Sequence, residues 1–256
     1  MSFLPLPDLE CCVAVMISHE HRFVFVELPR TGSTAIRHEL RDQYGATPIL
    51  HKHATYQEFL RQATEDEKSY FVFSGIRNPL DDAVSLYFKL LTDHKSKRTD
   101  PTRAFKNRRV LFRLRDDAMF RFIQQREPDF STFFLRFYRL PYDTWASLSH
   151  RSFDYVIRFE RLAEDFDQAL RRIGIEPVRS LPVVNRTSAR DRDFSTYYTP
   201  EAQRRARRVL GPYMERWGYA FPASWDVEPP SRLHRLEYAA YSFIARLYWR
   251  FFRAFA

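Results

Sequence analysis

Cysteine is nearly missing from this chain: the two present, Cys11 and Cys12, are adjacent, which excludes a disulfide framework. Glycine is scarce too, with six among 256 residues against a usual share of about 7%. That excludes collagen-like, propeller and glycine-rich repeat folds. No apolar run reaches the ~18 uncharged residues expected of a membrane span. The first residues also lack the basic-then-apolar order of a secretory signal. Lysine is rare, six against 35 arginines, a bias that suits a GC-rich bacterial genome. Together these absences predict a soluble, cytoplasmic protein of a reducing compartment.

What is present is an apolar share of 45% and an aromatic share of 16%, enough to bury the core of one ordinary α/β domain, or of one domain with a helical appendage. The net charge of +9 favours anionic partners. The chain opens as a β-hairpin, with apolar runs at 13–17 and 23–26 around a polar turn at 18–21. The second run stops at Pro29, and an amphipathic segment over 33–44 follows, ending at Gly45. A short strand at 47–50 and a helix over 55–64 come next. A buried strand at 70–76 leads into a helix over 79–91 that carries Pro79 in its tolerated first turn. A strand at 153–159 and a helix over 162–173, closed by Gly174, complete the alternation. Strands alternating with helices predict a parallel sheet covered by helices.

Two segments stand apart. Residues 95–139 hold thirteen Lys and Arg against five Asp and Glu, so nearly the whole net charge sits there. Phe105, Phe112, Phe120, Phe122, Phe130, Phe133, Phe134, Phe137 and Tyr138 are interleaved with it. The segment reads as a helical insertion with an arginine face and a phenylalanine face, as a groove for an anionic or polyhydroxylated partner, or as both. The tail 235–256 is helical in pattern. Arg235, Arg246, Arg250 and Arg253 share one narrow sector, and aromatics fill most of the rest. Such a helix packs on the domain, on a second subunit, or in a lipid interface.

The strongest local signal is Leu28-Pro29-Arg30-Thr31-Gly32-Ser33-Thr34, placed after a strand and opening a helix. Converging N–H groups with Ser and Thr hydroxyls suit a phosphate, although an ordinary helix cap looks the same. The Gly-Lys-Ser/Thr ending of the nucleotide-kinase loop is missing. The second signal is Arg77-Asn78-Pro79, with Ser85 eight residues after Arg77 and Tyr87 close behind. Arg77 ends a strand and Ser85 lies two turns into the next helix, so both suit one phosphate.

Together these segments resemble the sulfotransferase superfamily, whose donor is 3′-phosphoadenosine 5′-phosphosulfate (PAPS). In type, order and spacing, Pro29 to Thr34 is similar to that family's 5′-phosphosulfate loop, and Arg77 to Tyr87 to its 3′-phosphate segment. Arg158-Phe159-Glu160-Arg161-Leu162 looks like the family's Tyr-Glu-x-Leu stretch. Asn185-Arg186-Thr187 and the segment from Tyr197-Tyr198-Thr199 to Tyr219 look like the C-terminal part of carbohydrate sulfotransferases. The resemblance implies a P-loop-like three-layer α/β fold with a central parallel sheet. Residues 1–232 would form the sulfotransferase domain, with 95–139 as a basic helical insertion on the acceptor side, and 233–256 a C-terminal amphipathic helix. It implies Arg30, Thr31, Gly32, Ser33, Thr34, Arg77 and Ser85 as donor-binding residues.

Many members carry Lys where this chain has Arg30. Arginine keeps the charge but does not shuttle a proton at neutral pH, so the acceptor proton must go elsewhere. His51-Lys52-His53 follows the short strand at the position where the family commonly places a catalytic His or Glu, and glycan 2-O-sulfotransferases resemble this chain in having His-x-His there. His53 is the first candidate for base, His51 the second, and Glu27 at the end of the strand the next. The pair also reads as a surface pair or as two metal ligands, but no partner motif with zinc spacing accompanies it, and the scheme requires no metal. Asp81 and Asp82 read as structural, favouring the dipole of their helix's first turn. The expected acceptor is a hydroxyl of a carbohydrate or glycolipid, with no specific nucleic acid as partner. Membrane contact through 235–256 and an oligomer are the further expectations. A nucleotide-dependent phosphotransferase and a non-catalytic polyanion-binding module are the rival classes.

Overall fold

The computed structural model describes residues 13–51, 56–93, 110–143, 153–182 and 193–251. The chain divides into two compact units, one from Met1–Arg77 and Thr144–Asn185, the other from Asn78–Asp143 and Arg186–Ala256. The strands are β1 (Val13–Ser18), β2 (Phe23–Val26), β3 (Thr47–His51), β4 (Phe71–Ile76) and β5 (Tyr155–Arg158). Among the described residues the helices are α1 (Ser33–Gln43), α2 (Tyr56–Gln62), α3 (Pro79–Leu91), α4 (Val110–Arg126), α5 (Phe130–Phe137), α6 (Leu162–Ile173), α7 (Pro200–Val209), α8 (Gly211–Arg216) and α9 (Arg232–Phe251).

The first unit holds one sheet in the order β3-β1-β2-β4-β5. Its core ladder is parallel, β2 with β4 and β4 with β5. The opening hairpin makes β1 antiparallel to β2, with Val15 opposite Val26 and Ser18 opposite Phe23. On the far side β3 is antiparallel to β1. A tight turn can return a chain only antiparallel, whereas parallel neighbours need a long crossover. The short turn before Phe23 and the long connection from Glu27 to Tyr70 therefore set the two halves of the sheet.

Strands β1, β2 and β4 read as apolar runs because both faces are covered, whereas β3 at the sheet edge is largely exposed. On one face Met16, Phe23, Phe25, Phe73 and Ile157 meet Ile36 and Leu40 of α1 and Phe166 and Leu170 of α6. On the other Val15, Ile17, Val24, Val26 and Val72 meet Tyr56 and Phe59 of α2. The segment after α6 is tied back to α1. Arg179 grips the buried Glu39 with Nε 2.9 Å from Oε1 and Nη2 2.8 Å from Oε2, and Val178 N donates to the Tyr44 hydroxyl at 3.0 Å.

The second unit is helical. Leu80, Val84 and Tyr87 of α3 pack with Met119 and Ile123 of α4, Phe130, Phe133 and Phe134 of α5, and Ala202, Ala206 and Val209 of α7. The basic stretch thus supplies this unit's core with its phenylalanines, while Arg115, Arg121, Arg126, Arg136 and Arg139 stay exposed. Residues 95–109 of that stretch lie outside the described residues. Helix α9 covers the expected tail from Arg232 onward, and residues 252–256 also lie outside.

The start of α9 carries a pH-sensitive contact. Ser231 N donates to His234 Nδ1 at 3.4 Å, and His234 N donates to Ser231 Oγ at 3.3 Å. Burial, and then the charge of Arg207, hold the His234 pKa below its ordinary value. A histidine with a lowered folded pKa favours the state that binds fewer protons. Its contribution is therefore full above the unfolded pKa of about 6.5 and is lost as pH falls through the folded one. Acidification below about pH 6.5 should lower the urea midpoint, and His234→Gln should remove that increment.

Candidate active site

The loop after β2 is shaped by two left-handed residues. Arg30 has φ 68° and Gly32 φ 78°, and between them Thr31 turns the chain so that α1 begins at Ser33. A non-glycine residue in this region carries a strain of about 1–2 kcal/mol. The φ of Gly32 suits glycine, and a Cβ there would lie 2.5 Å from Leu162 Cδ2, so the leucine side chain would have to move. Gly75 of β4 lets the loop approach from the other side, since a Cβ there would lie 3.2 Å from Thr31 Cβ and 3.3 Å from its carbonyl oxygen.

The hydroxyls of Thr31 and Ser33 face inward, while Thr34 is half-buried. Thr31 Oγ1 donates to Leu28 O at 3.0 Å. Ser33 Oγ lies 2.7 Å from Leu28 O and 3.3 Å from Glu27 Oε1, so its one proton is shared within the turn. Backbone N–H groups are available as outward donors. The first helical bond runs from Ala35 N to Gly32 O at 3.0 Å, and no side chain caps the helix. The N–H groups of Ser33 and Thr34 precede that bond and point beyond the helix end, where the dipole is positive.

Arg77 joins this loop. Its Nη1 donates to Arg30 O at 3.3 Å, holding the strained residue, and its guanidinium stacks 4.1 Å from the Phe159 ring centroid. Phe159 directly follows β5, whose Arg158 is opposite Ile76. Loop, Arg77 and Phe159 therefore meet at the carboxyl ends of the parallel strands, where open α/β sheets bind ligands. Beneath them Glu27 is 3% exposed, within reach of Ser33 and with Oε2 3.8 Å from Arg37 Nε.

The topology also brings His51 to this edge. Strands β2 and β3 are both antiparallel to β1, so they run in the same direction. Val15 faces both Val26 and Leu50, and Val13 faces His51. His51 thus ends its strand level with the base of the loop, two strand spacings or about 10 Å away. His53 lies outside the described residues, as do Cys11, Cys12, His94, His150 and Asn185-Arg186-Thr187.

In the second unit, Asn78 caps α3 by accepting from Leu80 N at 3.0 Å. Asp81 and Asp82 are buried in the first turn, with the Tyr142 hydroxyl donating to Asp82 at 3.4 Å. Ser85 is 1% exposed. Sequence reasoning passed over Gly75, Arg37 and the packing roles of Phe159 and Leu162. A glycine inside a strand is a usable sign of close approach, but nothing local marks the other three.

Replacing Gly32 tests the loop directly. Gly32→Ala should destabilise the protein by about 2 kcal/mol or more, from backbone strain and overpacking together, as a lowered thermal midpoint. Adding Leu162→Ala should restore only part, because it relieves the clash but not the φ.

Comparison with curated proteins and with solved structures yields no match. The model of the Sulfotransferase family matches residues 13–214, from the start of β1 into α8. That span is most of the chain and contains the strained loop, the strand ends gathered around it and the capped helix α3. The chain therefore belongs to the sulfotransferase family and is a PAPS-dependent sulfotransferase.

Proposed function

We propose that this enzyme sulfates a hydroxyl of a carbohydrate or glycoconjugate, with His53 as the base. The observation that carries the reading is the loop at Arg30 to Thr34, which opens at the same sheet edge where β3 delivers His51. The carbohydrate part is supported by the resemblance of His51-Lys52-His53, Asn185-Arg186-Thr187 and the Tyr197 to Tyr219 segment to glycan-modifying members.

The loop fits the 5′-phosphosulfate of the donor. Two backbone N–H groups face outward at a positive helix end, and Gly32 keeps side-chain bulk away from them. When bound, PAPS supplies an activated sulfuryl group with a nucleotide phosphate as leaving group. Arg30 and the N–H groups of Ser33 and Thr34 hold the negative charge that gathers on the leaving oxygens. Thr31 and Ser33 keep the loop in its strained shape through Leu28 O and Glu27. Arg77 and Ser85 are assigned to the 3′-phosphate, so that binding remote from sulfur aligns the reacting atoms. His53 takes the proton of the acceptor hydroxyl as its oxygen bonds to sulfur, and the electron pair of the broken S–O bond leaves on phosphate.

The test is a mass-spectrometric screen of glycans and glycolipids incubated with enzyme and PAPS. Gain of one sulfate on a sugar hydroxyl is expected. Sulfation confined to phenols or to tyrosine peptides would overturn the carbohydrate assignment and leave the sulfotransferase one standing.

A further inference from the structure

Helix α9 lies beyond the span shared with the family, and its two sides differ in a way the sulfotransferase chemistry does not use. One side is fixed to its own unit. Tyr238 and Ser242 are buried, and Ser242 Oγ donates to Asp143. Arg235 holds Glu215 through two contacts of 2.9 Å, and Glu237 holds Arg208 of α7 through two more of 2.9 Å. The other side is apolar and open to solvent. Leu233 is 64% exposed, Leu236 67%, Phe243 57%, Ile244 65% and Leu247 41%. At 3.6 residues per turn these five, with the exposed Ala239 and Ala240, share an arc of about 140°.

Basic groups border that arc. Arg246 stands at one edge and Arg232 at the helix start, both exposed. Along the other flank Arg204, Arg205, Arg207 and Arg208 of α7, with His234, Leu135 and the single acid Glu201, line an open cavity of about 300 Å³. No acidic residue of the described helix falls on the apolar arc. Of the acids near it, Glu215 is engaged with Arg235, Glu228 with Arg207 and Glu237 with Arg208, which leaves Glu201 against four arginines in the cavity. A second copy docking here would set arginine against arginine, whereas an anionic bilayer complements both the apolar arc and its basic borders. The sequence continues as Tyr248-Trp249-Arg250-Phe251-Phe252-Arg253, the residue types that favour the membrane interface. Among the described residues no helix is long and apolar enough to cross a membrane.

We infer that α9 is a peripheral membrane-docking element, lying in the plane of an anionic lipid surface with Leu236, Phe243, Ile244 and Leu247 inserted and the flanking arginines on the headgroups. The inference does not depend on the identity of the acceptor.

The experiment is co-sedimentation of the full chain with phosphatidylcholine vesicles, with and without phosphatidylglycerol, at low and high salt. Binding to the phosphatidylglycerol vesicles is expected, falling as salt rises. Phe243→Ser with Leu247→Ser should weaken it at least about tenfold, with the thermal midpoint unchanged because both side chains are exposed. Arg246→Gln and Arg204→Gln should each weaken it about fivefold, which keeps the test open if the serine variant folds poorly. Three outcomes would overturn the inference: no sedimentation at low salt, equal binding to both vesicle types, or a lipid-free dimer by light scattering that the serine substitutions dissolve. The last would assign the face to a second copy.

Discussion

Replacing His53 by alanine should lower turnover by roughly 10²- to 10⁴-fold while leaving the affinity for adenosine 3′,5′-bisphosphate near that of the wild type. The alternatives for a proton acceptor are few at this sheet edge. Arg30 stays charged at any working pH. Glu27 is buried beneath the loop, with Ser33 and Arg37 already at its two oxygens. His51 ends β3 level with the loop base, and His53 follows it two residues later in the sequence. His51→Ala should therefore act more mildly, through positioning or acceptor contact. Steady-state kinetics with calorimetry of the nucleotide separates the two effects, since a base variant moves kcat and a donor-site variant moves affinity. Full turnover in both single variants would place the base elsewhere, and activity that depends strongly on added zinc would favour the metal-ligand reading of the pair.

The second large effect belongs to Arg77. The wild type should bind adenosine 3′,5′-bisphosphate about ten- to a hundred-fold more tightly than adenosine 5′-phosphate, the worth of a charge-assisted contact, and Arg77→Ala should erase most of that preference. The geometry adds a second consequence. Arg77 also holds Arg30 O and stacks on Phe159, so its loss should loosen the strained loop and weaken both nucleotides. Arg77→Lys separates these roles, because lysine keeps a point charge but loses the planar stack and the fork. It should retain part of the preference while still losing loop order, read as faster amide exchange at Ala35 and Ile36, whose N–H groups bond Gly32 O. Equal wild-type affinity for the two nucleotides in calorimetry would remove Arg77 and Ser85 from the 3′-phosphate.

Much of the first unit, and the start of the second, was legible from short stretches of chain. The hairpin, the stop at Pro29, the glycine-bearing turn before α1 and the Asn78-Pro79 start of α3 each depend on residues a few positions apart. Local turn chemistry and periodicity are enough to specify such features. Element ends were less exact: the strand expected over 153–159 runs only from Tyr155 to Arg158, where its pairing with β4 stops. The expected parallel sheet is the β2-β4-β5 half, and the sequence pattern did not reveal that β3 would join the free edge of β1. A strand's own residues do not specify which neighbour it takes.

By itself, then, the sequence determined the strand–turn–helix units, the charged loop and the order in which phosphate-type motifs occur, because each is written in neighbouring residues. Only the tertiary structure decided that Leu162 closes over Gly32, that Phe159 carries the Arg77 guanidinium, and that His51 ends level with the loop. It also decided that Phe130, Phe133 and Phe134 of the basic stretch become core, and which arc of α9 is left bare. Each of these joins or separates residues through packing between distant parts of the chain, and no local pattern encodes which face a helix will find covered.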